Sequence, residues 1–280
     1  MNFLKKIFTG NPTRKPKIGL VLGSGGARGL TQIGVIKALQ KNDIPIDYIA
    51  GVSIGSIVGS YYAIHGDVVG LEKGVRDLSK KDILKLIDFM SIKNGLVGGK
   101  KAMNFLIGLI GDKQFSDTQV PLKIVATDIG EGKEVRFDKG KLSDAIRASI
   151  AIPGIFQPMR IDGKYYLDGG VVNPTPIDVV KSMGADIIIA IDHTMSDYEK
   201  IEKPNMINTI KRSFEIIRTE AIKLKMGQLD KNIILISIKS KKLGDIYNFN
   251  NKQFIDEGEN ITNSRMEEIK KTINDWKPSK

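Results

Sequence analysis

The sequence predicts an α/β fold of three layers, in which a mostly parallel central sheet lies between two layers of helices. Two observations support this prediction. Short apolar runs alternate with segments of helical spacing, a pattern typical of right-handed crossovers in a parallel sheet. The first two turns from strand to helix, at 23–29 and 51–55, are rich in glycine. With 280 residues, of which 41% are hydrophobic and 27% charged, the chain can bury a large core, and global disorder is excluded.

In the first half of the chain, each predicted strand is a short apolar run and each predicted helix repeats apolar residues every three or four positions. These patterns predict strands at 17–22, 44–51, 122–127 and 134–137 and helices at 27–39, 54–64 and 144–149. Residues 67–118 contain two apolar helical segments separated by glycines. We interpret them as a helical insertion that covers one end of the sheet.

In the second half, a glycine turn within 159–167 predicts a hairpin. The further predicted elements are helices at 176–183, 206–224 and 265–276 and strands at 186–191 and 232–238. On the helix at 206–224, apolar residues recur at helical spacing and predict a stripe that faces the core. That stripe contains Ile207, Ile210, Phe214, Ile217, Ala221 and Leu224.

The predicted organisation is a basic arm (1–16), a catalytic core (17–195) and a C-terminal part (196–280) that completes the same domain. The net charge of +11 favours an anionic partner, and the arm contains no acidic residue. We expect either transient docking of the arm on an anionic membrane surface or a solvated tail. The arm does not have the apolar core of a signal peptide, and no apolar run is long enough to span a membrane. The sequence therefore predicts a cytoplasmic protein, with peripheral association at the inner face of the membrane.

The segment Gly51-Val52-Ser53-Ile54-Gly55 is a G-x-S-x-G motif at a junction of strand and helix. This is the context of a nucleophile elbow, where flanking glycines avoid clashes in a tight turn and leave the Ser hydroxyl accessible. The motif therefore predicts that Ser53 is a nucleophile. Because Cys is absent, a Cys nucleophile, disulfides and thiolate metal sites are excluded.

The glycine cluster over 23–29 supplies backbone N–H groups that can bind an anion. A dinucleotide site is disfavoured because Arg28 stands where G-x-G-x-x-G requires glycine, and no P-loop is present. Turns after neighbouring parallel strands open at the same edge of a sheet, so this cluster can form an oxyanion hole for Ser53. The alternative is a tight structural turn.

A Ser nucleophile needs a base, and the residues leave two candidates. His65 lies about 18 Å along the elbow helix from Ser53, too far to reach it. His193 follows a predicted strand at the correct edge of the sheet. Asp168 follows the hairpin and precedes Gly169 and Gly170, which permit close approach of the backbone.

Taken together, these segments resemble the patatin-like phospholipase family, in its small bacterial single-domain type. The resemblance covers about 17–195 and rests on four segments in the family's order: 24–29, 51–55, 145–156 and 168–174. Ser24 stands where the family's first motif usually begins with glycine. The resemblance implies a patatin-like fold and a lipid acyl hydrolase that cleaves carboxylic esters of phospholipids or lysophospholipids.

For the site, the resemblance implies a Ser-Asp dyad of Ser53 and Asp168 and gives His193 a structural or rim role. It also implies an oxyanion hole at Gly25 and Gly26. The supporting residues are Arg28, Gly29, Gly51, Gly55, Gly169 and Gly170. No metal or cofactor is expected. On this interpretation the insertion either holds an acyl chain or only packs on the sheet.

Two other classes of protein remain as alternatives. The first is a non-catalytic interaction or scaffold protein on the same fold, which acts through its basic surface. The second is a nucleic-acid binder, but aromatic residues make up only 6% of the chain and no binding motif is present. We therefore expect a lipid ester as the substrate and no nucleic-acid partner.

Overall fold

The structure, a computed structural model, describes residues 14–77, 103–104, 106–153, 156–193, 205–226, 230–239, 248–249 and 251–278. Within these residues, eight strands form one mixed sheet with helices on both faces, which confirms the predicted α/β class. The strands are β1 (Ile18–Leu22), β2 (Tyr48–Val52), β3 (Leu122–Asp128), β4 (Lys133–Phe137), β5 (Met159–Ile161), β6 (Lys164–Asp168), β7 (Ile187–Asp192) and β8 (Ile233–Ser237).

The described helices lie mostly where the spacing predicts them. They are α1 (Thr31–Lys41), α2 (Ile54–His65), α3 (Val69–Asp77), α4 (Leu142–Ser149), α5 (Ile177–Ser182), α6 (Met206–Met226), α7 (Gln253–Ser264) and α8 (Met266–Asp275). Short 3-10 helices occupy Gly26–Leu30, Phe115–Asp117 and Gly169–Val171. None of these described helices combines the length and apolarity needed to cross a membrane.

The strand order is β5-β6-β3-β2-β1-β7-β8, and β4 pairs with β3 off this path. From β3 to β8 the neighbours are parallel, whereas β4, β5 and β6 form antiparallel pairs. Since β1 and β2 are adjacent and parallel, the two glycine turns that follow them open at the same edge of the sheet. The topology therefore brings together the two turns that the sequence analysis selected.

The core divides between the two faces of the sheet. In β1, Leu20 and Leu22 contribute to the larger cluster, with residues of α1, α2 and α7, and Val21 contributes to the smaller one, with residues of α5. This alternation follows from the two-residue period of a strand, and burial on both faces explains why the parallel strands are continuously apolar.

Two local features differ from the predictions. The second strand begins at Tyr48 and not at residue 44, because Pro45 cannot donate a ladder hydrogen bond. α7 was not predicted, and it contains Gly258, where a side chain would overlap the Thr31 carbonyl of α1. Glycine and asparagine obscure the helical pattern there, but the glycine permits close packing of α7 on α1.

The predicted apolar stripe of α6 is wrong at two of its six positions, while Phe214 and Ala221 are half-buried and the side chains of Ile207 and Ile210 lie outside the described part of the chain. Ile217 and Leu224 are 59% and 77% exposed, whereas Glu215, Thr219 and Ile222 are buried. This helix therefore buries polar side chains against the fold. Much of the predicted insertion and residues 1–13 of the arm lie outside the described residues, although Leu106 and Ile110 of the insertion are buried in the core.

Candidate active site

Ser53 occupies a strained turn between β2 and α2. Its φ of 57° and ψ of −128° are unusual for a residue other than glycine. A methyl group at Gly51 would lie 2.5 Å from the Gly55 carbonyl oxygen, and one at Gly55 would overlap the Leu22 carbonyl. Only glycine fits these two positions, so the elbow motif is required by the close approach of α2 to β1 and β2.

Asp168 is brought to Ser53 by the register of the sheet. Val52 pairs with Val125 of β3, and Asp168 pairs with the next residue of β3, Ala126. The ends of β2 and β6 therefore meet on adjacent residues of one strand. Ser53 Oγ donates a hydrogen bond of 2.6 Å to Asp168 Oδ2, in the short range of charge-assisted hydrogen bonds.

The Asp168 carboxylate is held on both oxygens. Its second oxygen, Oδ1, accepts a hydrogen bond of 2.7 Å from the Gly170 N–H. Burial raises the pKa of Asp168 above its ordinary value, while the hydrogen bonds from Ser53 and Gly170 and the charge of Arg218 act in the opposite direction. A carboxyl with a raised pKa is a stronger base than an exposed aspartate.

Ser149 is a residue of the site to which the sequence analysis gave no role. Its Oγ accepts a hydrogen bond of 2.8 Å from the Ser53 N–H and donates one of 2.7 Å to the Val125 carbonyl. Ser149 therefore ties the strained elbow to β3. Because it lies 96 residues from Ser53 in the chain, no local spacing could identify this contact.

The first glycine turn lies beside the Ser53–Asp168 pair. A methyl group at Gly170 would lie 2.9 Å from Ser24 Oγ and 3.0 Å from Asp168 Oδ1, so these loops are in close contact. Gly26 has a φ of 56° and begins the 3-10 helix, with Gly25 as its N-cap. The first N–H groups of a helix have no partner within it, so those of Gly25 and Gly26 are suited to an anion.

Gly29 and Gly169 permit the close approach of the surrounding loops. A side chain at Gly29 would overlap Ile54 at the start of α2, and one at Gly169 would overlap the Val125 carbonyl. Together with Gly170, these glycines bring the turns after β1, β2 and β6 to one place.

The two histidines lie away from the Ser53 hydroxyl. His65 ends α2, and its ring contacts Tyr61 with 4.3 Å between ring centroids. His193 is fully buried, with Nε2 2.7 Å from Thr31 Oγ1, and a methyl group at Gly25 would lie 2.7 Å from its Nδ1. Burial, assisted by nearby positive charge, lowers the pKa of His193 to about 3, so its ring is neutral at physiological pH. It lies inside the fold against the glycine turn and not at a rim.

Arg28 is buried and forms an ion pair. It is 3% exposed, and its Nη2 lies 3.3 Å from Glu215 Oε2 of α6. Its charge is therefore held by a helix in the C-terminal part of the chain, a contact that the motifs did not indicate.

The described residues contain no group of three or more His, Asp and Glu side chains arranged to hold a metal ion.

Comparisons with known proteins identify the family that this sequence matches. A family model described as patatin-like phospholipase matches residues 20–181. An uncharacterized NTE family protein of Mycobacterium tuberculosis is 38% identical over 176 residues, which cover 63% of this chain and 49% of that protein.

Two longer relatives match a similar part of the chain. Human patatin-like phospholipase domain-containing protein 6 is 34% identical over 194 residues, which are 68% of this chain and 14% of that protein. Lysophospholipase NTE1 of Pyricularia oryzae is 34% identical over 178 residues, 62% of this chain and 12% of that protein. The chain thus matches about half or less of the length of these curated relatives.

Proposed function

The chain belongs to the patatin-like phospholipase family, and on this premise we propose that it is a serine hydrolase of phospholipid or lysophospholipid carboxylic esters. The observation that carries the proposal is the 2.6 Å hydrogen bond between Ser53 Oγ and Asp168 Oδ2 at a strained elbow. Relatives named as a phospholipase domain protein and a lysophospholipase support a lipid ester as the substrate.

In the proposed mechanism, Asp168 Oδ2 accepts the proton of Ser53 as Ser53 Oγ attacks the ester carbonyl carbon. The N–H groups of Gly25 and Gly26 stabilise the oxyanion of the tetrahedral intermediate, each by about 3–4 kcal/mol. Collapse of the intermediate breaks the ester bond, and Asp168 returns the proton to the leaving alcohol. Water, deprotonated by Asp168, then attacks the acyl-enzyme. Collapse of this second tetrahedral intermediate releases the fatty acid, and Asp168 returns the proton to Ser53 Oγ.

The strained elbow and the buried carboxylate both suit this role. The positive φ of Ser53 points the hydroxyl away from the helix that begins directly after it. The raised pKa of Asp168 brings it closer to the pH at which the enzyme works, which favours general base catalysis.

We further propose that the enzyme works in the cytoplasm and docks on anionic membrane surfaces through its basic arm. The net charge of +11 supports this proposal. At the start of the described residues, Arg14 forms a salt bridge of 2.6 Å with Asp186 and lies over the Trp276 ring. These contacts anchor the base of the arm to the fold, so residues 2–13 can be removed without disturbing them.

The proposed nucleophile is tested with a fluorophosphonate probe, which labels activated serines. We expect labelling and lysophospholipid hydrolysis by the wild-type protein and neither by Ser53→Ala. Ser60→Ala is the matched control, because Ser60 lies on α2 and its buried hydroxyl has no hydrogen-bond partner among the described residues. Labelling that persists in Ser53→Ala would contradict the assignment. Binding of lipid without any labelling would support the scaffold alternative.

A further inference from the structure

Arg28, Glu215 and Arg218 form a buried cluster of charges next to the glycine turn. Glu215 Oε2 lies 3.3 Å from Arg28 Nη2, and Glu215 Oε1 lies 3.1 Å from Arg218 Nη1. Two guanidinium groups share the Glu215 carboxylate, and the negative charge of the buried Asp192 also acts on Arg28.

The cluster also contains donors that the protein does not use. Arg28 Nε and both Nε and Nη2 of Arg218 are buried and have no hydrogen-bond partner among the described residues. Buried polar groups in proteins nearly always have a partner, so these donors require an explanation. The Arg218 side chain is 13% exposed, whereas that of Arg28 is 3% exposed. Arg218 is therefore the more exposed of the two, although its unpartnered donors are themselves buried.

Arg218 lies near both halves of the proposed catalytic machinery. α6 packs against the 3-10 helix Gly169–Val171, which directly follows Asp168. The positive charge of Arg218 lowers the pKa of Asp168 and of His193, and His193 contacts Gly25. The charge of Arg218 therefore acts both on Asp168 and on His193, which lies against the Gly25 turn.

We propose that Arg218 binds the phosphate group of the substrate's headgroup while the ester lies at Ser53, an inference that rests on the proposed function. The planar guanidinium offers two parallel N–H donors, which match two phosphate oxygens. Glu215 holds Arg28 and orients Arg218, so Glu215 is a positioning residue.

This assignment makes headgroup recognition a property of α6. Arg218 lies outside residues 20–181, the part of the chain that matches the family model. The proposed substrates are therefore glycerophospholipids and lysophospholipids in preference to uncharged glycerides of the same acyl chain.

The test compares the kcat/KM for lysophosphatidylcholine with that for monoacylglycerol of the same acyl chain. We expect Arg218→Gln to lower this ratio at least about tenfold, mainly through the KM for the phospholipid, because hydrogen bonds to a charged group are the strong ones. Arg218→Lys keeps the positive charge but has no planar guanidinium group. We expect its kcat/KM ratio to lie between those of the wild-type protein and Arg218→Gln. It also keeps Glu215 paired and serves if Arg218→Gln does not fold.

Lys223→Gln is the matched control, since it removes the same charge from an exposed position on the same helix. We expect it to leave the ratio unchanged. An Arg218 variant with an unchanged ratio would overturn the proposal. So would equal losses on both substrates, which would indicate a role in the dyad or in folding.

A second measurement does not depend on turnover. The Ser53→Ala protein is titrated calorimetrically with glycerophosphocholine and with inorganic phosphate, with and without Arg218→Gln. We expect binding of glycerophosphocholine that is lost with Arg218→Gln, and this result stands even if the wild-type protein hydrolyses no lipid. Binding of inorganic phosphate alone, or binding that survives Arg218→Gln, would overturn the headgroup assignment.

Discussion

Replacing Asp168 with Asn removes the proposed general base while keeping an acceptor of similar shape beside Ser53. In the wild-type protein this contact is 2.6 Å long, and it is charge-assisted when Asp168 is ionised. A positioned general base contributes about 10²- to 10⁴-fold to the rate. We expect kcat to fall at least about a thousandfold, which corresponds to about 4 kcal/mol at 1.36 kcal/mol per tenfold.

His193→Gln is the matched comparison for this variant. The Gln amide can donate to Thr31 Oγ1 from about the position of His193 Nε2, which lies 2.7 Å from that oxygen. Since neither ring nitrogen of His193 contacts Ser53 in this geometry, we expect kcat to fall less than about tenfold. Hydrolysis of a soluble short-chain ester measures both variants. A larger loss in His193→Gln than in Asp168→Asn would refute the Ser-Asp assignment.

The dependence of the rate on pH provides an independent check. Asp168 must be ionised to accept a proton, so kcat/KM of the wild-type enzyme is expected to rise as pH passes the pKa of Asp168. Because burial raises that pKa, the midpoint is expected above the ordinary value of 3.8. His193→Gln is expected to show the same rise of kcat/KM with pH. The pKa of His193 is lowered to about 3, so this histidine is already neutral over the pH range of the rise. Loss of the rise in His193→Gln would contradict the assignment.

The stability of Asp168→Asn separates loss of the base from loss of the fold. A carboxyl whose pKa is raised in the folded state stabilises the fold below its unfolded pKa, and that contribution is lost as pH rises through the folded pKa. At pH 8 the ionised, fully buried Asp168 therefore costs stability, which Asn avoids. We expect the Tm of Asp168→Asn relative to wild type to increase with pH and to be no lower at pH 8. A lower Tm at pH 8 would attribute the lost activity to damage of the fold.

Two further predictions concern the elbow and the arm. Ser53→Gly is expected to be more stable than Ser53→Ala by about 1 kcal/mol in urea denaturation. Glycine relieves about 1–3 kcal/mol of backbone strain at a φ of 57°, which exceeds its entropic cost of about 0.5–1 kcal/mol. Equal stability of the two variants would argue against strain at this position. Deletion of residues 2–13 removes Lys5 and Lys6 but keeps the Arg14–Asp186 pair. Because each lysine contributes about 1 kcal/mol to binding at an anionic surface, we expect the deletion to weaken sedimentation with anionic vesicles at least about tenfold. Neutral vesicles are the control, and equal binding with and without the arm would make it a passive tail.

In α6, the periodicity of apolar residues predicts the helix but not which of its faces is buried. The spacing identified a helix, and the structure contains one over Met206–Met226. The same spacing is compatible with burial of more than one face of the helix, and hydrophobicity alone favours the apolar face. The fold instead presents Arg28 to this helix, so Glu215 is buried and Ile217 is exposed. The identity of the buried face depends on the partner surface, which periodicity does not contain.

In the candidate site, too, one part follows from local sequence and another only from the fold. The elbow around Ser53 was predictable because five consecutive residues contain the whole requirement for a tight turn between strand and helix. The residues alone left Asp168 and His193 as alternatives for the base. The structure places Asp168 beside Ser53 because β3 pairs with both β2 and β6, and it turns His193 toward Thr31.

The sequence by itself determined the α/β class, the order of most strands and helices, and the elbow and glycine turns, because these depend on neighbours within a few residues. Only the tertiary structure decided the contacts of Ser53 with Asp168 and Ser149, and of Glu215 with Arg28. These partners lie 115, 96 and 187 residues apart in the chain. Their meeting depends on sheet register and helix packing, which are set by burial across the whole chain and not by any local pattern.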